Sequence, residues 1–277
     1  MCGRYTLVKE IKLVVKKFNL EVSPKIEMFK SYNIGPSQYA PVIASDKPTE
    51  MQMLMFGYIP EWQKTRRFLI NARAEGSGKY HNTENDPNYS GAFHIKESRE
   101  FRFMIRERRC LVWANCFFEG PKEEKLNKPY VVYLQGKKIF ALAGIWKEWA
   151  DKSTGEIKKS FAILTTYPNK LMNKHIKHHR TPVIIKEHDY YKWLNLDTHL
   201  SDIMGMLRPL ADHEMNAYPV SKRVKNVRNN DRQIIEPVGQ RVYQESNFEI
   251  DERLHKTGFG DSNARRRRKE EEGDNYG

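Results

Sequence analysis

Apolar residues near the start of the chain recur at the spacing of a helix that buries one face. The positions are Val8, Ile11, Val14, Val15 and Phe18, and the lysines between them make the opposite side basic. Helical patterns return at residues 169–179, 186–194 and 203–207. We therefore predict one amphipathic helix near the N-terminus and further short helices in the C-terminal half.

Short runs rich in β-branched and aromatic residues occupy the middle of the chain. They predict strands at residues 51–58, 110–118, 129–134, 138–145 and 160–166. Gln135, Gly136 and Lys137 predict a hairpin turn between two of these strands. Strands in the middle with separate helices around them indicate an α+β fold, whose antiparallel strands curl into a partly closed barrel.

Two polar segments carry little apolar sequence. Residues 76–97, with scattered Ser, Asn, Gly, His and Asp, predict a long unpacked loop or insertion. Residues 252–277 contain adjacent basic and acidic blocks and predict a disordered charged tail. We expect one folded domain over residues 2–245.

Charge and composition narrow the class of partner. Among the 277 residues, 48 Lys and Arg against 35 Asp and Glu leave a net charge of +13, and aromatic residues make up 12%. Lysine and arginine neutralise phosphates and aromatic faces stack on unpaired bases, so a nucleic acid is the favoured partner. No apolar run is long enough to span a membrane, and no signal region is visible. We expect a cytoplasmic protein, associated with the nucleoid if it is bacterial.

The cysteines indicate a reducing compartment and one reactive position. Three cysteines without a CxxC pair argue against a disulfide framework and a structural zinc site, and Cys110 and Cys116 are expected to be buried on the same side of one strand. Cys2 differs, because removal of Met1 would leave it with a free α-amine beside its thiol. The amine can condense with an aldehyde to a Schiff base, and the thiol can then close a five-membered thiazolidine ring.

A series of short motifs occurs in order along the chain. They are MCGRY at 1–5, SYNIGPSQ at 31–38, FGYIPEW at 56–62, INARAE at 70–75, RRCLVWANCFFEG at 108–120, FALAGIWKEW at 140–149, SFAILTT at 160–166, HHRTPVII at 178–185 and AYPVSKRVKN at 217–226. Over roughly residues 2–237 the chain resembles the SRAP family, the SOS-response-associated proteins that process abasic sites in single-stranded DNA. The resemblance implies a single α+β domain with a basic DNA channel. It also implies a covalent thiazolidine link between the N-terminal cysteine and the ring-opened sugar of an abasic site.

The resemblance also implies roles for individual residues. Cys2 matches the family nucleophile, and Arg4 follows it as a residue that can hold a phosphate. Asn71 and Arg73 lie in the family's NAR motif, with the asparagine orienting the abasic sugar and the arginine gripping the DNA backbone.

Further family positions lie on the later motifs. Glu119 matches the catalytic glutamate, which could relay protons during ring closure, and His178 matches the functional histidine that opens the sugar or reverses the link. Thr165 and Thr166 match positions near the bound phosphate.

The chain departs from the family pattern after the glutamate, where Gly120 replaces the usual aromatic residue. This departure puts base stacking beside the lesion in doubt, with Trp62, Trp113 and Phe118 as candidate substitutes. The histidines at 175, 178 and 179 have a spacing that could present one helix face to a metal, but the family reading is favoured, and we expect neither a metal nor a cofactor. We expect a monomer, and a replication-fork partner is left open.

Other interpretations of the role of Cys2 remain open from the sequence. N-terminal-nucleophile amidohydrolases also begin Met-Cys-Gly, although their later motifs are absent here. A cysteine peptidase that removes its own N-terminus would use the same Cys2, Glu119 and His178, so the expected cross-linking, lyase-type activity could coexist with hydrolysis. A non-enzymatic single-strand binder would need the basic channel but not the thiol.

Overall fold

The computed structural model describes residues 2–58, 68–76, 81–150 and 155–245. In this part of the chain the strands are β1 Tyr5–Leu7, β2 Ser31–Ile34, β3 Tyr39–Ala44, β4 Met51–Phe56, β5 Asn71–Arg73, β6 Arg109–Ala114, β7 Cys116–Glu119, β8 Tyr130–Leu134, β9 Phe140–Ala150, β10 Ile157–Thr166, β11 Thr181–Pro182, β12 Ile184–Ile185 and β13 Met215–Pro219. The α-helices are α1 Ile11–Phe18, α2 Pro24–Glu27, α3 Arg102–Glu107, α4 Tyr190–Leu194 and α5 Leu200–Gly205. The expected α+β class is confirmed.

A closed barrel forms the centre of the molecule. Strand β10 pairs with β4, the order continues through β3, β6 and β9, and β9 pairs back onto β10. The ring is therefore fully closed, whereas the sequence predicted partial closure. It is also mixed, because β10 runs parallel to β4 and β5 while the other barrel pairs are antiparallel.

Strands β9 and β10 are long because both are largely apolar and both face the core. Their antiparallel pairing runs from Ile157 opposite Ala150 to Ile163 opposite Gly144. In β9 every residue from Phe140 to Trp146 is buried. Burying a run of this kind removes apolar surface on both faces from water, at about 25 cal/mol per Å². The barrel wall therefore gives the site a rigid support.

A five-stranded antiparallel sheet, in the order β13-β8-β7-β1-β2, packs beside the barrel. Its strand β7 follows β6 after a break at Asn115, whose buried side chain accepts from the backbone of Val8 and Lys9 and donates to the carbonyls of Lys9 and Lys138. The single strand predicted at 110–118 is therefore two strands in two sheets.

This break corrects the expectation for the other two cysteines. Cys110 and Cys116 are both fully buried, as predicted. They do not share a face, because Cys110 packs in the barrel core and Cys116 in a second apolar cluster with Phe118 and Tyr218.

Two further local predictions are wrong. Gln135, Gly136 and Lys137 do form a turn, with Gly136 at φ +66°, but it connects strands of different sheets instead of a hairpin. The helix predicted at 169–179 is reduced to a π-helical turn, Leu171–His175, and the chain reverses at Lys177 with φ +59°.

Within the polar segment predicted at 76–97, the described residues 81–97 form a loop that is not unpacked. Phe93 and Ile95 are buried, and residues His94–Glu97 form a 3₁₀ turn. Residues 77–80 and the predicted tail at 252–277 lie outside the described residues. In the part of the chain that is described, no helix is both long and apolar enough to cross a membrane.

Candidate active site

Cys2 lies immediately before β1, at the point where the barrel meets the second sheet. Strand β1 pairs with β7 so that Tyr5 faces Phe117, which brings residue 2 towards the end of β7 at Glu119. The Cys2 side chain is buried, and Asn71 Nδ2 donates to the Cys2 carbonyl at 3.1 Å. Burial, with a smaller contribution from the nearby charge of Glu119, raises the pKa of the Cys2 thiol far above its ordinary value. Burial thus favours the thiol over the thiolate in the chain that still carries Met1.

Asn71 is held by β5, a short strand that runs parallel to β10. Its side-chain amide also contacts the carbonyl of Ile163 at 3.4 Å, which fixes the amide against the barrel wall. Its Oδ1 atom is buried and accepts no hydrogen bond from the described residues. A buried acceptor without a donor is costly, so Asn71 is suited to receive a hydroxyl or amine from a bound molecule.

Glu119 and His178 form a buried pair beside Cys2. Glu119 Oε2 lies 3.0 Å from His178 Nε2, and both side chains are about 5% exposed. His178 Nδ1 lies 2.8 Å from the carbonyl of Arg180 and 3.3 Å from its backbone N–H, so this ring nitrogen has a partner in either tautomer. Nε2 faces the carboxylate, so a proton on this nitrogen can be donated to Glu119. Burial lowers the pKa of His178, and the nearby charge of Glu119 opposes this shift.

A buried ion pair supports the histidine from behind. Both terminal nitrogens of Arg180 donate to the carboxylate of Glu75, at 2.7 and 2.8 Å, and Glu75 is fully buried. Arg180 also donates to the carbonyl and hydroxyl of Thr165 at 2.7 and 3.2 Å. Because the Arg180 carbonyl holds His178 Nδ1, this network fixes the orientation of the imidazole. No role was predicted for Glu75 from the sequence, although Glu75 follows Arg73 within the INARAE motif.

Arg73 lies next to this pair with free donor capacity. Its Nε is 3.9 Å from Glu75 Oε2, and Nε and Nη2 are buried without a hydrogen-bond partner among the described residues. Burial, followed by the charge of Arg180, lowers the pKa of Arg73. A partly exposed guanidinium with unused donors is suited to bind an anionic group such as a phosphate.

The site opens into a cavity of about 560 Å³. Glu119, His178, His179 and Phe118 line one part of it, and basic residues line the rim, namely Arg4, Lys122, Lys125 and Lys225. Arg4 reaches the rim because Gly35, of the SYNIGPSQ motif, has no side chain: a Cβ there would lie 1.6 Å from Arg4 Nη1. Arg4 Nη2 donates to the Lys225 carbonyl at 3.5 Å. An apolar floor with a cationic rim suits a sugar flanked by phosphates.

The structure does not bring Thr165 and Thr166 to the surface, as the predicted phosphate contacts would require. Both are buried, at 1% and 0% exposure. The Thr165 hydroxyl accepts from Arg180, so it positions the arginine. Thr166 Oγ1 has no hydrogen-bond partner in the described ranges. These two residues belong to the support of the site and not to its opening.

The histidines at 175, 178 and 179 do not converge on one point. His175 packs edge-to-face against Tyr243, whereas His178 bonds to Glu119. His179 lies over His178 with ring centroids 4.9 Å apart, and burial followed by the His178 charge lowers the pKa of His179 to about 4. The three histidines therefore have different neighbours.

Gly120 is required by the loop that follows β7. A Cβ at this position would lie 1.8 Å from the carbonyl oxygen of Lys125, so no aromatic residue fits. Of the candidate substitutes, Trp113 packs in the core against Phe18, Phe118 lines the cavity, and Trp62 lies outside the described residues. The loop therefore replaces the missing aromatic side chain as one wall of the cavity.

Comparison with known proteins agrees with this geometry. The family model described as SOS response associated peptidase (SRAP) matches residues 1–227. The abasic site processing protein YoqW of Bacillus subtilis is 31% identical over 85% of this chain and 99% of its own length, and YoaM of the same organism is 32% identical over 85% and 98%. The abasic site processing protein HMCES of Xenopus tropicalis is 25% identical, over 72% of this chain and 64% of its own length.

Solved structures share the fold as well. A protein from Bacteroides thetaiotaomicron superposes with a TM-score of 0.68 at 26% identity, over 86% of this chain and the whole of the other. A second, from Bordetella bronchiseptica, has a TM-score of 0.60 at 18% identity and supports the fold alone. The sequence relatives, the family match and the shared architecture together show that this chain belongs to the SRAP family.

Proposed function

We propose that the protein processes abasic sites in single-stranded DNA by capturing the ring-opened sugar covalently on Cys2. The observation that carries this proposal is a buried Cys2 near the Glu119–His178 pair, which lines a cavity together with Arg4 and three lysines. The names of the relatives, which process abasic sites, support the same substrate.

The chemistry begins with removal of Met1, which frees the α-amine of Cys2. The amine attacks the aldehyde carbon of the open sugar, and loss of one water gives an imine. The Cys2 sulfur then adds to the imine carbon, its proton passes to the nitrogen, and a thiazolidine closes. The Glu119–His178 pair accepts and returns protons in these steps, and Asn71 orients the sugar through its unpaired Oδ1.

The burial of Cys2 favours this pathway over a peptidase or amidohydrolase. A cysteine hydrolase needs a thiolate, and sites of that kind lower the thiol pKa. Here burial raises the pKa of Cys2. A neutral thiol is sufficient for ring closure, because the amine makes the first bond and the thiol then reacts within the same residue.

The cavity rim supports binding of an unpaired strand by one copy of the chain. Arg4, Arg73 and the rim lysines supply cations for phosphates on either side of the lesion. We propose that the protein acts as a monomer. A DNA substrate supports a cytoplasmic protein, associated with the nucleoid if it is bacterial.

The test is a denaturing gel of the protein mixed with abasic or intact single strands. We expect a denaturation-resistant adduct only with the abasic strand, its loss in Cys2→Ala, and nearly unchanged non-covalent binding in that variant, because the basic rim supplies the affinity. Cys110→Ala is the matched control, since Cys110 is an equally buried cysteine in the barrel core. An adduct formed by Cys2→Ala would overturn the assignment.

A further inference from the structure

The segment between β5 and α3 brings together two histidines and a glutamate that the abasic-site chemistry does not use. His81, His94 and Glu97 each offer a ligand atom, and these atoms all lie within 4.8 Å of one another. His94 Nδ1 contacts Glu97 Oε2 at 2.9 Å across one 3₁₀ turn. Among the described residues this is the one group of three His, Cys, Asp or Glu side chains with such a separation.

The group is fixed to the barrel by its neighbours. The backbone N–H of Ile95 donates to the carbonyl of Ala74 at 3.0 Å, and the Ile95 side chain is fully buried. His94 and Glu97 therefore project from a turn that is anchored on both sides of Ile95. The ligands do not depend on a loose chain end for their position.

His81 is held against the same region by a glycine. Gly76 has φ +84°, and a Cβ at this position would lie 2.6 Å from His81 Nδ1. The absence of a side chain lets the His81 ring lie over the backbone and stack on His94, with ring centroids 4.1 Å apart and an interplanar angle of 11°. Two imidazoles are thus packed together at a partly exposed position, with a carboxylate beside them.

We propose that His81, His94 and Glu97 bind a divalent transition metal ion of the zinc class. Two imidazoles and one carboxylate are a ligand set that Zn²⁺ takes in proteins, with a fourth position left for water or another ligand. Metal–nitrogen distances of about 2.0–2.1 Å require the stacked rings to rotate apart, which their partial exposure permits. From the sequence we expected no metal, and this proposal differs from that expectation.

The site is separate from the cavity that Glu119 and His178 line. None of its three residues lines that cavity. Glu97 supplies the anionic charge, and Arg73 and Lys96 are the neighbouring cations that act on the group. A bound metal would join residue 81 to the turn at 94–97 and so close the insertion into a loop beside Arg73.

The experiment is a titration of the untagged full-length protein, first treated with a chelator, with Zn²⁺ alone. We expect one bound ion per chain by calorimetry, and a melting temperature raised by roughly 5–10 °C at a hundredfold excess over Kd. Co²⁺ in place of Zn²⁺ should give the visible absorption of a four-coordinate site.

Variants on two separate segments keep the test independent of any one folding defect. His81→Ala and His94→Ala should each weaken Zn²⁺ binding by at least about tenfold, in the range expected for a lost ligand. His188→Ala is the matched control, because His188 lies 3.2 Å from Asp189 as an exposed histidine–carboxylate pair outside the group. Equal binding in the wild type and in both ligand variants, or no Zn²⁺-dependent rise in melting temperature, would overturn the proposal. No DNA is used, so either result leaves the abasic-site proposal untouched.

Discussion

Replacement of Glu75 by glutamine tests whether the buried ion pair supports the site. Glu75 is fully buried and receives two charge-assisted hydrogen bonds from Arg180, with Arg73 3.9 Å away. A glutamine offers one acceptor oxygen and no charge, so two guanidinium groups lose their shared counterion. Breaking a buried pair by removing one partner costs about 3–5 kcal/mol.

The expected signal is large enough to measure by calorimetry or circular dichroism. At about 2–4 °C per kcal/mol for a chain of this size, Glu75→Gln should lower the melting temperature by roughly 6–20 °C. Glu50→Gln is the control, since Glu50 forms an exposed pair with Lys47 and its loss should leave the melting curve unchanged.

A second variant separates charge from packing. Adding Arg180→Met to Glu75→Gln removes one unpaired buried cation, so the double variant should melt higher than Glu75→Gln alone. A fall of less than about 2 °C in Glu75→Gln would refute the reasoning, because it would mean that the carboxylate does not balance the arginines.

Three further predictions concern the site. Arg73→Ala should make the salt dependence of single-strand binding shallower by about 0.7 in the log–log slope, and an unchanged slope would place Arg73 outside the DNA path. Glu119→Gln and His178→Ala should each change the rate of forming or reversing the adduct by more than ~10-fold in single-turnover assays, and smaller effects would remove their proton-transfer role. Because burial lowers the pKa of His179 to about 4, the unfolded chain binds more protons there than the folded chain between about pH 6.5 and 4, so stability falls as pH falls through this window. His179→Gln should reduce that loss of melting temperature, and an identical pH profile would contradict it.

Much of the fold could be predicted from local sequence, and the predictions that failed did so for physical reasons. The α1 helix and strands β4, β8 and β10 have clear apolar periodicity, and they lie where the pattern predicted them. Strand β5 was missed because it is only three residues long and is stabilised by pairing with β10 and not by its own pattern. The hairpin predicted at residues 135–137 was wrong, because the sequence of a turn does not determine whether its flanking strands pair.

The motifs predicted which residues form the site, but not how their side chains are arranged. Cys2, Asn71 and Glu119 were identified from their motifs, and the structure brings them to one end of the barrel. The burial of Thr165 and the support by Glu75 depend on contacts between residues 75, 165 and 180, which no local pattern encodes. The His81–His94–Glu97 group was missed because His81 is distant in sequence from the 3₁₀ turn at His94–Glu97, and no local pattern encodes their contact.

The central claim is that the α-amine and the thiol of Cys2 react together. The most direct measurement is the intact mass of the product formed with an abasic single strand, by the protein lacking Met1 and by a form with extra residues ahead of Cys2. The first should give the sum of protein and DNA minus one water, with no mass gain on treatment with borohydride, since a thiazolidine has no imine to reduce. The extended form should bind the DNA without forming this product, and proteolytic exposure of Cys2 should restore it. If the extended protein formed, at the same rate, an adduct with the mass of extended protein plus DNA minus one water, the account would be contradicted.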